Sequence, residues 1–188
     1  MIKSDLRKRV RQNLATLSEE HIQSKSRSLV ENLIQWLRQN PSSHKLVIGG
    51  FYPLNDEPQW LSLTQQIEAD WCWPVFEAEQ QVMTFAQCSQ KDLEIKSLFG
   101  REFRQPPKAA PIKVPDLLLI PGLAFTNEGH RLGRGKGYYD RYLEKFSGTK
   151  IGICFEESIL ELIPVDPHDV VMNYVVSDLG IKRVNGLS

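Results

Sequence analysis

Residues 116–122 read Asp-Leu-Leu-Leu-Ile-Pro-Gly, and residues 123–143 continue LAFTNEGHRLGRGKGYYDRYL. Leu117 to Ile120 are apolar without a break, the pattern of a strand buried on both faces rather than one facing water on one side. Pro121-Gly122 stops the strand, a glycine-rich loop follows, and a helix is expected from about Gly137 to Phe146. Working outward, Lys45 to Phe51 (KLVIGGF), Trp71 to Val75, Gln81 to Ala86, Lys150 to Phe155 and Tyr174 to Ser177 read as further strands. Trp71–Val75 and Gln81–Ala86 are joined by an acidic turn at Glu77 and Glu79. Lys3 to Leu14 reads as a short basic helix with Leu6, Val10 and Leu14 four apart. Ser18 opens a longer helix, with Glu19 and Glu20 in its first turn and Ile22, Leu29, Val30, Leu33, Ile34 and Leu37 along one face. Pro58 is expected to start another helix running to about Ala69. Residues 97–115, rich in proline and cations, read as an ordered connector. Helices alternating with fully apolar strands imply an α/β fold: one domain over residues 1–188, three-layer α/β/α, with a mostly parallel, mixed sheet.

Composition excludes several classes. Lys plus Arg and Asp plus Glu number 23 each, so no net field draws the chain to nucleic acid or to an anionic membrane. Cys72, Cys88 and Cys154 are dispersed and odd in number, which fits buried thiols in a reducing compartment. The opening residues turn charged at once, and no apolar run is long enough to span a bilayer. The expectation is a soluble, cytoplasmic protein, more readily a monomer than an oligomer.

The chemistry concentrates in the glycine-rich loop. Gly129, Gly133, Gly135 and Gly137 surround Arg131, Arg134 and Lys136, after a strand and before a helix. Glycine permits positive φ and close backbone approach. Helix-terminal N–H groups and the cations together suit phosphate oxygens. The run is neither a Walker A loop, since Gly137 stands where Ser or Thr would follow the lysine, nor GxGxxG. These residues alone imply phosphate without naming the compound. An ATP or sugar-phosphate enzyme, or a nucleic-acid module using Lys3 to Arg11 and RLGRGK, stays open at this level.

The string GHRLGRGKGYYDRYL, led by PGLAF, resembles the signature of the 5-formyltetrahydrofolate cyclo-ligase family. KSDLRKR at the start and the NDEP loop after the first strand fall where that family has its other site segments. The resemblance implies an ATP-dependent ligase that closes 5-formyltetrahydrofolate into 5,10-methenyltetrahydrofolate, with Mg²⁺ accompanying ATP. It assigns ATP binding to Lys3, Ser4, Asp5, Leu6 and Arg7, and to Arg131, Leu132, Gly133, Arg134, Gly135, Lys136, Gly137, Tyr138 and Tyr139. It assigns folate binding to Tyr52, Glu57, Arg134, Gly135, Lys136, Gly137 and Tyr138, with Arg134 and Lys136 as catalytic cations. Asp140 matches a magnesium ligand. The family's second magnesium carboxylate falls on Asn173, a poorer ligand for a hard cation, with Asp169 and Asp178 nearby. His130 and His168 have no role in the implied reaction, and ATP and the folate are the implied partners.

Overall fold

The computed structural model describes residues 2–77, 79–98 and 100–184. In chain order, α1 is Lys3–Leu14, α2 Glu19–Gln39, β1 Val47–Gly49, β2 Asp70–Glu77 and β3 Val82–Gln87. Then come β4 Glu94–Leu98, β5 Arg101–Gln105, β6 Leu117–Pro121, β7 Ala124–Thr126, β8 Arg131–Leu132 and α3 Tyr138–Leu143. The chain closes with β9 Thr149–Ile153, β10 Ile159–Leu160, β11 Tyr174–Ser177 and β12 Gly180–Arg183.

Seven strands form the central sheet in the order β12-β11-β9-β6-β1-β2-β3. The inner pairs β11·β9, β9·β6, β6·β1 and β1·β2 are parallel, and both edges close with antiparallel partners. The mostly parallel, mixed sheet expected from the apolar runs is therefore present. Alternation along β6 assigns its faces: Leu117 and Leu119 pack toward α2 with Leu29, Leu33, Ile48 and Trp73. Leu118 and Ile120 pack toward α3 with Phe85, Phe125, Leu143 and Phe146. Residues of opposite parity point to opposite faces of a strand, so one apolar run serves both layers. Helix α1 instead buries Leu6, Val10 and Leu14 against Leu123, Leu132 and Phe155, over the small sheet β10-β7-β8.

The helix start at Ser18 is as expected: its Oγ accepts from the His21 backbone N–H at 3.2 Å. Two expectations are corrected. Residues 58–69 form no α-helix, only a 3-10 run at Leu61–Gln65. The Leu63 N–H donates to the Trp60 carbonyl at 2.9 Å, and Trp60 and Leu63 are both fully buried. Three-residue periodicity stacks those two side chains on one face, which suits a 3-10 turn better than an α-turn. The connector read at 97–115 contains part of a hairpin, β4 with β5. Its polar residues carried no alternation because the pair stands apart from the central sheet.

Where the chain leaves β1 it turns toward β2, and where it leaves β6 it turns the other way, toward β9. That reversal between neighbouring parallel strands opens a crevice at their carboxyl ends, where α/β sheets take ligands.

Candidate active site

A cleft of about 630 Å³ lies at that crevice, within the usual range for small-molecule sites. The segment after β1, including Tyr52, Leu54 and Glu57, and the glycine loop from Gly133 to Tyr138 both line it. Phe76 from β2 and Phe103 and Arg104 from β5 close the side. The hairpin is therefore part of the site, which its sequence did not announce.

The loop needs its glycines. Gly135 and Gly137 have φ of +99° and +72°, where a Cβ is disfavoured. Arg7 of α1 fixes the loop from below, donating from Nε to the Gly133 carbonyl at 2.8 Å. Helix α3 is only six residues long, so its dipole adds little; the loop cations supply most of the positive charge. Arg131 donates from Nη1 to the Pro121 carbonyl at 3.0 Å and pairs through Nη2 with Asp140. Its guanidinium also lies 5.5 Å from the Tyr139 ring centroid. Lys136 and Tyr138 both line the cleft.

Arg134 is placed otherwise than a phosphate grip would require. Its Nη1 and Nη2 donate to Asp56 at 3.1 and 2.6 Å. Its Nε and Nη2 donate to Glu57 Oε1 at 3.1 and 2.9 Å. The second Glu57 oxygen accepts from the Leu54 N–H at 2.9 Å. Burial drives the Glu57 carboxyl above its ordinary range, and Arg134 opposes that shift. Arg134 ends up held more firmly protonated than usual, because the two carboxylates outweigh its own desolvation.

The other expected residues divide. Tyr52 lines the cleft with Arg104 4.9 Å from its ring centroid. The buried Tyr139 hydroxyl has no hydrogen-bond partner among the described residues, and burial pushes it far above the usual phenol range. A buried donor beside a cleft is costly unless a ligand satisfies it. Leu6 and Leu132 are core residues, 2% and 0% exposed, and neither lines the cleft. Lys3 sits 2.6 Å from Asp166 and 2.6 Å from Asp169, and Ser4 donates to Asp5. Of the residues read as the first ATP segment, Arg7 hydrogen-bonds the glycine loop. Sequence reasoning missed Phe76, Phe103, Arg104 and the role of Asp56. Only the NDEP string could have signalled Asp56.

Asn173 is committed to the sheet, its Oδ1 accepting from the Lys150 N–H at 2.8 Å and its N–H donating to the Lys150 carbonyl at 2.8 Å. Asp178 receives Lys25 at 2.7 Å and the Glu156 N–H at 2.8 Å. Neither lines the cleft. Among the described residues no group of three or more His, Cys, Asp or Glu could hold a metal. Asp140 alone still fits magnesium that arrives on a nucleotide, since such ions take one or two carboxylates and complete their shell with phosphate oxygens and water.

Fold and cleft together define a doubly wound α/β ligand-binding enzyme with a cationic glycine loop at the switch point of its sheet. The chain belongs to the 5-formyltetrahydrofolate cyclo-ligase family, whose model matches residues 1–178. It is 43% identical over 67 residues to the 5-formyltetrahydrofolate cyclo-ligase of Mus musculus, covering 32% of this chain and 33% of that protein. It is 39% identical over 89 residues to the enzyme of that name from Mycolicibacterium smegmatis, covering 43% and 46%. The matched stretches thus span a third to just under half of these relatives. The solved 5,10-methenyltetrahydrofolate synthetase of Aquifex aeolicus superposes with a TM-score of 0.83 at 28% identity, covering 100% of this chain and 95% of that one. The Mycoplasma pneumoniae synthetase shares the fold, with a TM-score of 0.75 at 22% identity over 95% and 99% of the two chains.

Proposed function

We propose that this protein uses ATP to close 5-formyltetrahydrofolate into 5,10-methenyltetrahydrofolate, releasing ADP and phosphate. The observation that carries this is the cleft itself: a cationic glycine loop and a buried carboxylate, joined through Arg134, line one cavity of about 630 Å³, so an anion and a hydrogen-bonding heterocycle can meet there.

Glu57 accepts from the N–H groups of the pterin, since a carboxylate offers only acceptors, and Tyr52, Phe76 and Phe103 pack its faces. Lys136, Arg131 and the loop N–H groups hold the triphosphate, with Arg7 from α1 supporting the loop through the Gly133 carbonyl. The formyl oxygen on N5 attacks the γ-phosphorus, and ADP departs. N10 then attacks the activated formyl carbon, the ring closes, phosphate leaves, and the N10 proton passes to solvent. Phosphoryl transfer asks mainly for alignment and charge stabilisation. Lys136 supplies the charge where it develops on the transferred group, and Arg134 acts on the folate side. Asp140 would hold magnesium arriving on the nucleotide, and the ion would supply further charge neutralisation there. No side-chain nucleophile takes part. The free thiols Cys72 and Cys154 are buried and their pKa values raised. The protein acts in the cytoplasm as a monomer on these two small molecules, with neither nucleic acid nor membrane as partner. No described helix is long and apolar enough to cross a bilayer.

The test mixes purified protein, MgATP and 5-formyltetrahydrofolate and watches for the near-ultraviolet absorbance of the methenyl product. Product formation strictly dependent on both substrates is expected; nucleotide hydrolysis without it would overturn the assignment.

A further inference from the structure

We infer that Asp56, which need not touch either substrate, is a positioning residue for Glu57 and acts through the guanidinium of Arg134. This rests on the reading of Glu57 as the folate-side acceptor.

The geometry is a relay of three groups. Asp56 takes the end of the guanidinium, receiving Nη1 at 3.1 Å and Nη2 at 2.6 Å. A two-point contact on a planar fork fixes its plane as well as its position. The remaining edge, Nε with Nη2, then meets one oxygen of Glu57 at 3.1 and 2.9 Å. The other Glu57 oxygen is held by the Leu54 N–H at 2.9 Å. Oε1 is thus fixed by two N–H groups of Arg134 and Oε2 by one backbone N–H, which sets the carboxylate plane and leaves the second lone pair of Oε2 for a ligand. Arg134 sits on a loop whose neighbours, Gly133 and Gly135, contribute no side chains to hold it. Without Asp56 it is a long side chain with a single carboxylate partner.

Asp56 cannot help Glu57 directly. As a neighbouring negative charge it favours protonated Glu57, adding to the effect of burial. Its benefit passes only through the arginine, and this gives opposite signs for the two possible roles. Were Asp56 to act through space, neutralising it would favour ionised Glu57 and tighten pterin binding. Acting through Arg134, the same change loosens the fork and weakens it.

The experiment measures equilibrium binding of 5-formyltetrahydrofolate without nucleotide, and separately of a magnesium complex of a non-hydrolysable ATP analogue. Asp56→Asn is expected to weaken formylfolate binding about tenfold or more, and the nucleotide analogue less than about twofold. In an Arg134→Lys background, Asp56→Asn should cost less than about twofold, because the fork it positions is gone. Unchanged or tighter formylfolate binding by Asp56→Asn overturns the inference, as does an equal loss for both ligands. Should that variant fail to fold, the wild-type protein decides alone: by nitrogen-detected NMR its Arg134 Nε–H should exchange slowly with water in the ligand-free state, and rapid exchange overturns the relay. Wild-type protein that forms no methenyl product would sink the assigned activity instead, leaving the exchange result standing.

Discussion

Lys136 and Asp140 flank the turn at Gly137, and both line the cleft. Replacing either by alanine should lower turnover at least about tenfold, or 1.4 kcal/mol of barrier, without unfolding the domain; a variant of full activity would remove that residue from the site. Glu57 makes a different prediction. Its folded pKa lies above its ordinary 4.5 because burial opposes ionisation more than Arg134 favours it. The folded state therefore binds the extra proton, and this contribution to stability is present below pH 4.5 and lost as pH rises through the raised folded value. Between pH 4.5 and 7 the ligand-free wild type should lose stability relative to Glu57→Gln, read as the slope of the melting-temperature difference; parallel curves would mean that Glu57 ionises without penalty. Chain separation explains why this cluster was hard to foresee. Arg134 lies in a string whose cationic character is plain, but its partners are 77 and 78 positions away. A sequence displays the charges without saying which of them are already answered.

At the scale of elements, stability follows apolar periodicity. Leu33 of α2 is fully buried against the sheet, so Leu33→Ala should cost about 2–5 kcal/mol in denaturant unfolding. Ser18→Ala, which removes only the cap to His21, should cost about 1 kcal/mol. The same periodicity decided what was legible. Helices α1 and α2 and strands β6, β9 and β11 carry a stripe or an apolar run because a core sits against them. Strands β4 and β5 carry neither: Ile95 is 58% exposed, and the pair meets the sheet at β2, through Phe103 on Phe76 and the buried Gln105, while Phe103 and Arg104 also line the cleft. A surface kept for a ligand looks polar and irregular until the ligand is considered. Strand β12 was missed for a related reason, lying at the sheet edge with Lys182 and Arg183 exposed.

For the molecule as a whole, the two main apolar clusters share strand β6, each taking alternate residues, so the layers should not melt separately. A single thermal transition is expected, moved upward by ligand as one unit. A ligand at a hundred times its dissociation constant adds about 2.7 kcal/mol. Two resolved transitions, only one of them ligand-sensitive, would contradict a shared core. The cleft likewise joins distant parts of the chain, with walls from residues 51–55, 102–104, 121–122 and 133–140.

The ion pair from Lys3 to Asp169 spans 166 positions, and it has a bearing on biosynthesis. During translation at about 5–20 residues per second, the first helix emerges roughly 8–30 s before its carboxylate partner does. Through that interval Lys3 lacks both carboxylates that hold it in the folded chain, so this docking of the first helix cannot be completed until synthesis is nearly over.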